Sequence, residues 1–551
     1  MSNIDWIILI TTLCGIIIYG IYKSNSTKNL EGYFLSNRTM PWYLVLLSIM
    51  GTQASAVTFL SAPGQAYTDG MRFVQYYFGL PIAMVVICIF FVPVFRKLKV
   101  YTAYEFLENR FDLKTRSLTS ALFLISRGLS TGISIYAPSI ILSSLLGWNI
   151  YYTNLVMGGL LIIYTMSGGA KAVAYTQQLQ LVIIIAGMFL AGYMVVALLP
   201  EGMGFSSAIK IAGNQGKMNI ITTGVTNNHF DWKDKYNIWS GVIGGFFLAL
   251  SYFGADQSQV GRYLTASTDK ESKIGLLMNG LVKVPMQFLI LLVGILVFSF
   301  YQYHKAPVYF DEAKVIVAKK TGYKDSLISI EQRYNNALAA NDQAQTTALR
   351  SQYKAVLKKA IPGDDANDTN FIFLRFVIDN LPKGLVGLLI AVIFLAAWGS
   401  IAAALNSLAS CTVIDFHKKF INKNCTEAKD YSISRWYTFG WGIFSIVVAM
   451  FAHNIGNSLI EAVNILGSLF YGVILGIFLV AFWIKHVKAD AVFIAAVISE
   501  LLVILVYRLD IVSFLWLNVV GALLVILLSL VLQVVQPKFT SRKRLREITR
   551  D

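Results

Sequence analysis

The residues with chemistry to offer are few, and they sit in unusual surroundings. Two cations, Arg127 in Leu-Ile-Ser-Arg-Gly and Lys283 in Leu-Val-Lys-Val-Pro, interrupt long apolar runs. Three further stretches gather glycine, hydroxyl and amide residues within equally apolar sequence. They are Gly51-Thr52-Gln53-Ala54-Ser55-Ala56-Val57-Thr58, then Tyr252-Phe253-Gly254-Ala255-Asp256-Gln257-Ser258, then Ala396-Ala397-Trp398-Gly399-Ser400 running on to Leu405-Asn406-Ser407. Such groups are suited to surrounding an ion or a small polar solute. A hard cation takes oxygen ligands, and a carbonyl at Gly51, Ala54 or Ala396 with the Ser400 hydroxyl would supply them. Bond-breaking chemistry has less to work with. The five histidines (His229, His304, His417, His453, His486) are scattered, and the cysteines (Cys14, Cys88, Cys411, Cys425) follow no paired spacing and read as core residues. Gly216-Lys217-Met218 fails the phosphate-loop pattern, which argues against nucleotide-driven pumping.

The elements that must position these residues are membrane helices. Of 551 residues, 56 % are hydrophobic and 14 % charged, with a mean hydropathy of +0.60. An ordinary globular chain is about 25 % charged, so this chain has more apolar surface than soluble cores can hide. A crossing needs about 20 apolar residues. That measure predicts thirteen spans, near 5–22, 41–65, 71–96, 119–146, 150–168, 173–199, 238–257, 274–303, 384–412, 433–453, 457–484, 489–507 and 512–536. With the N-terminus outside, the cytoplasmic segments and their helix junctions hold 26 of the 46 basic residues, while the short outer loops hold only Arg72 and Arg508. Cytoplasmic loops carry the lysine and arginine excess, so the expected orientation is N-terminus outside and C-terminus cytoplasmic. The net charge of +16 is then largely an orientation signal facing anionic lipid, with no nucleic-acid partner required. The first span carries Asp5 and no preceding lysine or arginine, unlike a signal peptide, and is expected to be retained.

Within the transmembrane domain, 1–536, residues 304–383 form a soluble insertion. Its middle is rich in Ala, Gln, Lys and Glu, and its charges nearly balance at 12 basic and 9 acidic. It is expected to be an extracytoplasmic helical cap. Residues 537–551 form a basic cytoplasmic tail.

Polar, glycine-interrupted stretches fall in the second and seventh spans, the first helices of two successive groups of five. Interrupted helices at matching positions of two halves point to an inverted-repeat transporter with its site at the midplane, here with repeats of about 41–199 and 238–484. A seam of small residues packing two helices has the same appearance, so the ninth span alone does not decide between a seam and an ion site. Arg127 lies within about three turns of the inner helix end and could instead snorkel to the headgroups.

These residues also carry a family resemblance. Gly51–Thr58 with Gly64-Gln65-Ala66-Tyr67 and Gly70 is similar to the sodium:solute symporter family. So are Val100-Tyr101-Thr102-Ala103-Tyr104-Glu105-Phe106-Leu107-Glu108-Asn109-Arg110-Phe111 and Ser167-Gly168-Gly169-Ala170-Lys171-Ala172-Val173. Gln257 with Gly261-Arg262-Tyr263-Leu264, and Leu405-Asn406-Ser407 ending at Asp415-Phe416, continue the match in order. Ile135-Tyr136-Ala137-Pro138 resembles the iodide, multivitamin and monocarboxylate branch more than the glucose branch.

The resemblance implies an all-α protein with the five-plus-five inverted repeat of the leucine transporter fold, moving a small solute with sodium by alternating access. It places the sodium site on carbonyls of Gly51, Ala54 and Ala396 and on side chains at 399 and 400. Here the chain departs from the family, with Gly399-Ser400 where two hydroxyls are usual. Gln177 stands where relatives commonly have Asp, and Ala402 and Ala403 replace serines, so no second sodium is expected. The resemblance puts the substrate against Gln53, Ser55, Thr58, Phe73, Tyr77, Tyr252, Phe253 and Asn464. Tyr77 replaces a carboxylate that serves sugar hydroxyls in a galactose-type relative, and Arg127 lies near an arginine used by relatives that carry sialic acid. A guanidinium suits bidentate pairing with a carboxylate, which favours an anionic solute of sialic acid or carboxylate type. A sugar or vitamin symporter, proton coupling on the same scaffold, and a non-transporting receptor with this fold remain alternatives. The implied partners are the solute, sodium and lipid of a cell membrane, with no obligatory protein partner and no enzymatic activity.

Overall fold

The computed structural model describes residues 1–23, 30–340, 342–363, 366–422, 426–452 and 458–548; side chains at 21, 23, 167–172, 343, 427–428 and from 536 onward are not described. His453, Cys425 and the side chains of the basic tail fall outside this set. The described residues form helices and one two-stranded ribbon, Val225–Thr226 against His229–Phe230.

The distribution of polarity is that of a bilayer protein. Ile7, Ile163, Val182, Phe189, Leu281 and Leu501 face outward, while Ser61, Gln65, Thr119, Ser126, Gln177 and Gln287 are buried. With no water in the hydrocarbon region, polar side chains turn toward the bundle interior rather than toward lipid.

Helices α1 (Asn3–Lys23), α2 (Trp42–Gln53) and α3 (Ala56–Asp69) open the chain. The span α4 (Met71–Lys97) and helix α5 (Leu113–Leu146) follow. Next come α6 (Ile150–Met166) and α7 (Val173–Ala197). The Tyr164 hydroxyl lies 2.7 Å from the Thr176 hydroxyl, although twelve residues of straight helix would separate them by about 18 Å. The run Ile150–Ala197 is therefore not one straight helix, and α6 and α7 are taken separately.

The second half begins with α8 (Ser240–Gly254), α9 (Gln257–Tyr263) and α10 (Asp269–Phe300). After the insertion come α11 (Leu385–Cys411), α12 (Glu427–Phe451), α13 (Leu459–Trp483), α14 (Ala489–Arg508) and α15 (Phe514–Ile548). Side-chain caps fix several helix starts: Asp112 accepts from the Thr115 amide, Thr268 from Glu271 and Ser458 from Glu461.

Among the described residues, nine helices are long and apolar enough to cross a membrane, or ten if the bent pair α2 and α3 is one span. The sequence expectation was thirteen. The difference lies in short or charged elements: α6 and the apolar part of α8 are under 18 residues, and α12 begins with Glu427, Lys429 and Asp430.

Two helices are interrupted. Helix α2 stops at Gln53, Ala54 takes a non-helical conformation (φ −77°, ψ 67°), and α3 leaves at 60° to α2. Helix α8 stops at Gly254, and Asp256 caps the start of α9 by accepting from the Ser258 amide.

The insertion carries more structure than a solvated cap needs. Its helices Glu312–Ala318, Lys324–Ala339 and Gln343–Ala360 enclose an apolar cluster of their own, including Leu327, Ile330, Tyr353 and Leu357. It is also tied to the bundle. A Cβ on Gly64 of α3 would collide with the Thr369 carbonyl oxygen, and the Asn370 side chain accepts from the Leu459 amide at the start of α13 (3.1 Å). Asp368 anchors this junction, paired to Arg350 (2.9 Å) and Lys354 (2.7 Å) and accepting from the Phe310 amide. Burial would raise the Asp368 carboxyl, but the two cations win and hold it below its ordinary value.

Candidate functional site

The two breaks and α11 frame an interior cavity. Gln53, Ser55 and Thr58 reach it from the first break, Tyr77 from α4, Arg127 from α5, Tyr252 and Phe253 from α8, and Asn464 from α13. Eight of the nine residues expected to touch substrate therefore share one lining. The exception is Phe73, which is fully buried and stacks on Tyr76 at 5.7 Å between ring centres. Tyr76 takes the lining position instead, and its hydroxyl donates to Asn464 (3.1 Å). The 3₁₀ winding of Met71–Tyr77 eclipses residues 73 and 76 and turns 73 away from 77, so Phe73 lies stacked behind Tyr76 while Tyr77 keeps its place in the lining.

Local bonding holds this lining in shape. The Gln53 amide donates to Asn279 (3.1 Å), and the Thr58 hydroxyl donates back to the Gln53 carbonyl (3.1 Å) across the break. Tyr252 accepts from Gln259 of α9 (2.7 Å), bridging the second interruption.

The two intramembrane cations have opposite surroundings. Arg127 reaches Asp256, whose side chain is fully buried, and also donates to the Tyr471 hydroxyl (2.8 Å). Tyr471 in turn donates to Asp256 (2.7 Å), and the guanidinium lies over the Tyr252 ring. The positive charge of Arg127 is thus already met by the protein. Lys283 is 2 % exposed and lines the cavity, yet among the described residues it makes no ion pair; the Tyr77 ring stands 5.7 Å from its Nζ.

Two of the proposed ion ligands lie at the first break. The Ser55 amide donates to the Gln53 carbonyl rather than to Gly51, and the Thr58 amide donates to Ser55 rather than to Ala54. Both Gly51 and Ala54 carbonyls are thereby released from their helical partners. On α11, Ser400 lines the cavity and its hydroxyl donates to the Ala396 carbonyl (2.9 Å). Gln177 of α7 ties the two helices together, donating to the Gly399 carbonyl (3.0 Å) and to Thr52 (3.3 Å) while accepting from Ser48 (2.9 Å). These oxygens suit a hard monovalent cation, because they bring several partial charges and no net charge.

Sequence reasoning did not place Thr131, Ser134 and Tyr471 in the lining. Thr131 and Ser134 lie four and seven residues after Arg127, on its helix face, so the helical repeat was a usable signal. Tyr471 carries no local mark; only the tertiary fold brings it to Asp256.

Comparison with known proteins fits this geometry. The model of the sodium:solute symporter family matches residues 33–328 and 348–499, and the chain belongs to that family. It is a sodium-coupled solute transporter and not an enzyme. The sodium/sialic acid symporter SiaT of Proteus mirabilis is 25 % identical over 546 residues, covering 98 % of this chain and 96 % of the relative. The human sodium/iodide cotransporter is 32 % identical over 255 residues, covering 46 % of this chain and 38 % of the relative. A solved structure of a Na+-coupled sialic acid symporter in a substrate-bound outward-open state has a similar fold. Its TM-score is 0.77 at 24 % identity, covering 97 % of this chain and 98 % of that one.

Proposed function

We propose that this symporter carries a small organic anion, held in the cavity with its carboxylate against Lys283. The observation that carries this reading is the contrast between the two cations. Arg127 has its counter-charge in Asp256, whereas Lys283 faces the cavity without one. An unpaired buried charge costs several kcal/mol, and a carboxylate-bearing guest removes that cost by pairing with it. Gln53, Thr58, Tyr76 and Asn464 would orient the rest of the molecule by hydrogen bonds, and Tyr252 and Phe253 would close over it. Arg127 then braces the cavity wall and does not hold the guest.

One sodium ion would bind between Gly51, Ala54, Ala396 and Ser400, steadying the break against α11. Because coupling is reciprocal, substrate tightens sodium by the factor that sodium tightens substrate. The chain would cross a cell membrane thirteen times in two inverted repeats, N-terminus outside, with the insertion as an outer cap and the tail in the cytoplasm.

The test is uptake into vesicles loaded with purified protein, comparing sialic acids and monocarboxylates with neutral sugars and vitamins, each with and without a sodium gradient. Sodium-driven accumulation restricted to acids is the expected result. Sodium-driven uptake of a neutral sugar alone would overturn the anionic reading while leaving the coupling intact.

A further inference from the structure

A third cation is buried just past the second break. Arg262 of α9 is 2 % exposed, and among the described residues it pairs with no carboxylate. Within that set its Nε and Nη1 have no hydrogen-bond partner, and its Nη2 reaches only the Ala403 carbonyl of α11, at 3.5 Å. The same stretch of α11 holds more groups short of partners. Asn406 Oδ1 and the Ser410 hydroxyl are buried without one among the described residues, and Asn406 Nδ2 has only the Tyr33 carbonyl, again at 3.5 Å. Contacts beyond about 3.2 Å are weak for an N–H donor. We propose that Arg262, Asn406 and Ser410 form an anion subsite on the release path, to which the solute's carboxylate passes from Lys283 as the cavity opens to the cytoplasm. This rests on the anionic solute and the orientation proposed above.

Three features support the assignment. First, the charge is unmatched. Burying a lone cation costs several kcal/mol, and the buried Arg116 avoids that cost through Asp415 and Glu108. The groups around Arg262 are neutral, so a second cation is repelled and an anion is favoured. Second, the position suits release. Ser400, Ala403, Asn406 and Ser410 recur at spacings of three and four, which puts them on one face of α11. Ala403 and Ser410 lie about 5 and 15 Å along the axis from Ser400, toward the end that the proposed orientation places in the cytoplasm. Third, α9 packs against both α11 and α2, so a swing of α2 would uncover the groups that now meet in the interior.

Transport measured from each face tests this, using right-side-out and inside-out membrane vesicles with radiolabelled sialic acid and lactate as probes under a sodium gradient. Arg262→Gln should raise the half-saturation at the cytoplasmic face about tenfold and leave the outer value within about twofold. Arg262→Lys keeps the charge and should stay within about threefold of the native chain at both faces. Asn406→Ala should raise the cytoplasmic value about threefold, and it carries the same test if Arg262→Gln does not fold, which Tm reports. A packing role would move both faces together, so an equal rise at the two faces overturns the subsite. If Lys283→Met abolishes uptake while Arg262→Gln leaves the cytoplasmic value unchanged, the anionic reading stands and the subsite alone is overturned. If sodium drives neither acid, or Lys283→Met leaves their uptake unchanged, the anionic reading fails and the subsite falls with it.

Discussion

At the scale of single residues, the decisive contrast is between two cations inside the bundle, Lys283 buried and Arg127 partly so. Lys283→Met should lower uptake of an acidic substrate roughly 100-fold in kcat/KM, on the scale of losing a buried ion pair. Lys283→Arg should retain part of that activity, and radiolabelled uptake measures both. Arg127 and Lys283 were both visible in the sequence as charges in apolar runs, and the cavity positions Gln53, Ser55, Thr58, Tyr77, Tyr252, Phe253 and Asn464 were legible through the family resemblance. Which cation was free was not legible. That depends on Asp256 and Tyr471, which lie 129 and 344 residues from Arg127 in the chain. Likewise, Gly399 reads from sequence as a missing hydroxyl, and only the fold shows that a Cβ built there would meet the Gln180 amide oxygen of α7.

At the scale of elements, the Arg127, Asp256 and Tyr471 cluster ties α5 and α13 to the second break. Asp256→Asn leaves a buried guanidinium without its partner and should destabilise the protein by about 3–5 kcal/mol. Adding Arg127→Gln should recover much of that loss, because the stranded charge is gone; thermal melts of the single and double variants check this. A second element-scale prediction concerns the junction of α3 with the insertion. Gly64→Ala would press a methyl group against the Thr369 backbone and should cost about 1–3 kcal/mol in overpacking, read as a lowered Tm. The interruptions themselves were readable in the sequence, because glycine, serine and a capping aspartate stand where an unbroken helix would need apolar residues. The winding of Met71–Tyr77 was not readable, since a 3₁₀ turn and an α-helix place the same apolar sequence on different faces.

At the scale of the whole molecule, the basic-residue asymmetry makes an orientation that can be checked directly. A single cysteine at Lys320, in a variant lacking the native cysteines, should react with a membrane-impermeant maleimide added to intact cells, and a fluorescent protein fused after Asp551 should fold in the cytoplasm. The Asp368 junction also makes a pH prediction. Because its carboxyl is held below the ordinary range, the ion pairs contribute stability throughout neutral pH. That contribution is lost only as acid drives the pH down through the lowered value, below about pH 4. Melts of the wild type should fall steeply there, while Asp368→Asn should start lower and lack that acid-dependent component. An insertion of balanced charge was visible in the sequence, but its grip on α3 and α13 was not, because that depends on backbone contacts at Gly64 and Leu459 rather than on side-chain pattern.

That grip has a mechanical consequence. Thr369 and Asn370 fasten the insertion to the second limb of one broken helix and to the head of α13, two walls of the solute chamber. Should that limb rock during transport, the insertion is expected to travel with it and to act as a handle on the cycle. A nanobody that clamps it should stall turnover from a distance, leaving the chamber's affinity for its guest intact.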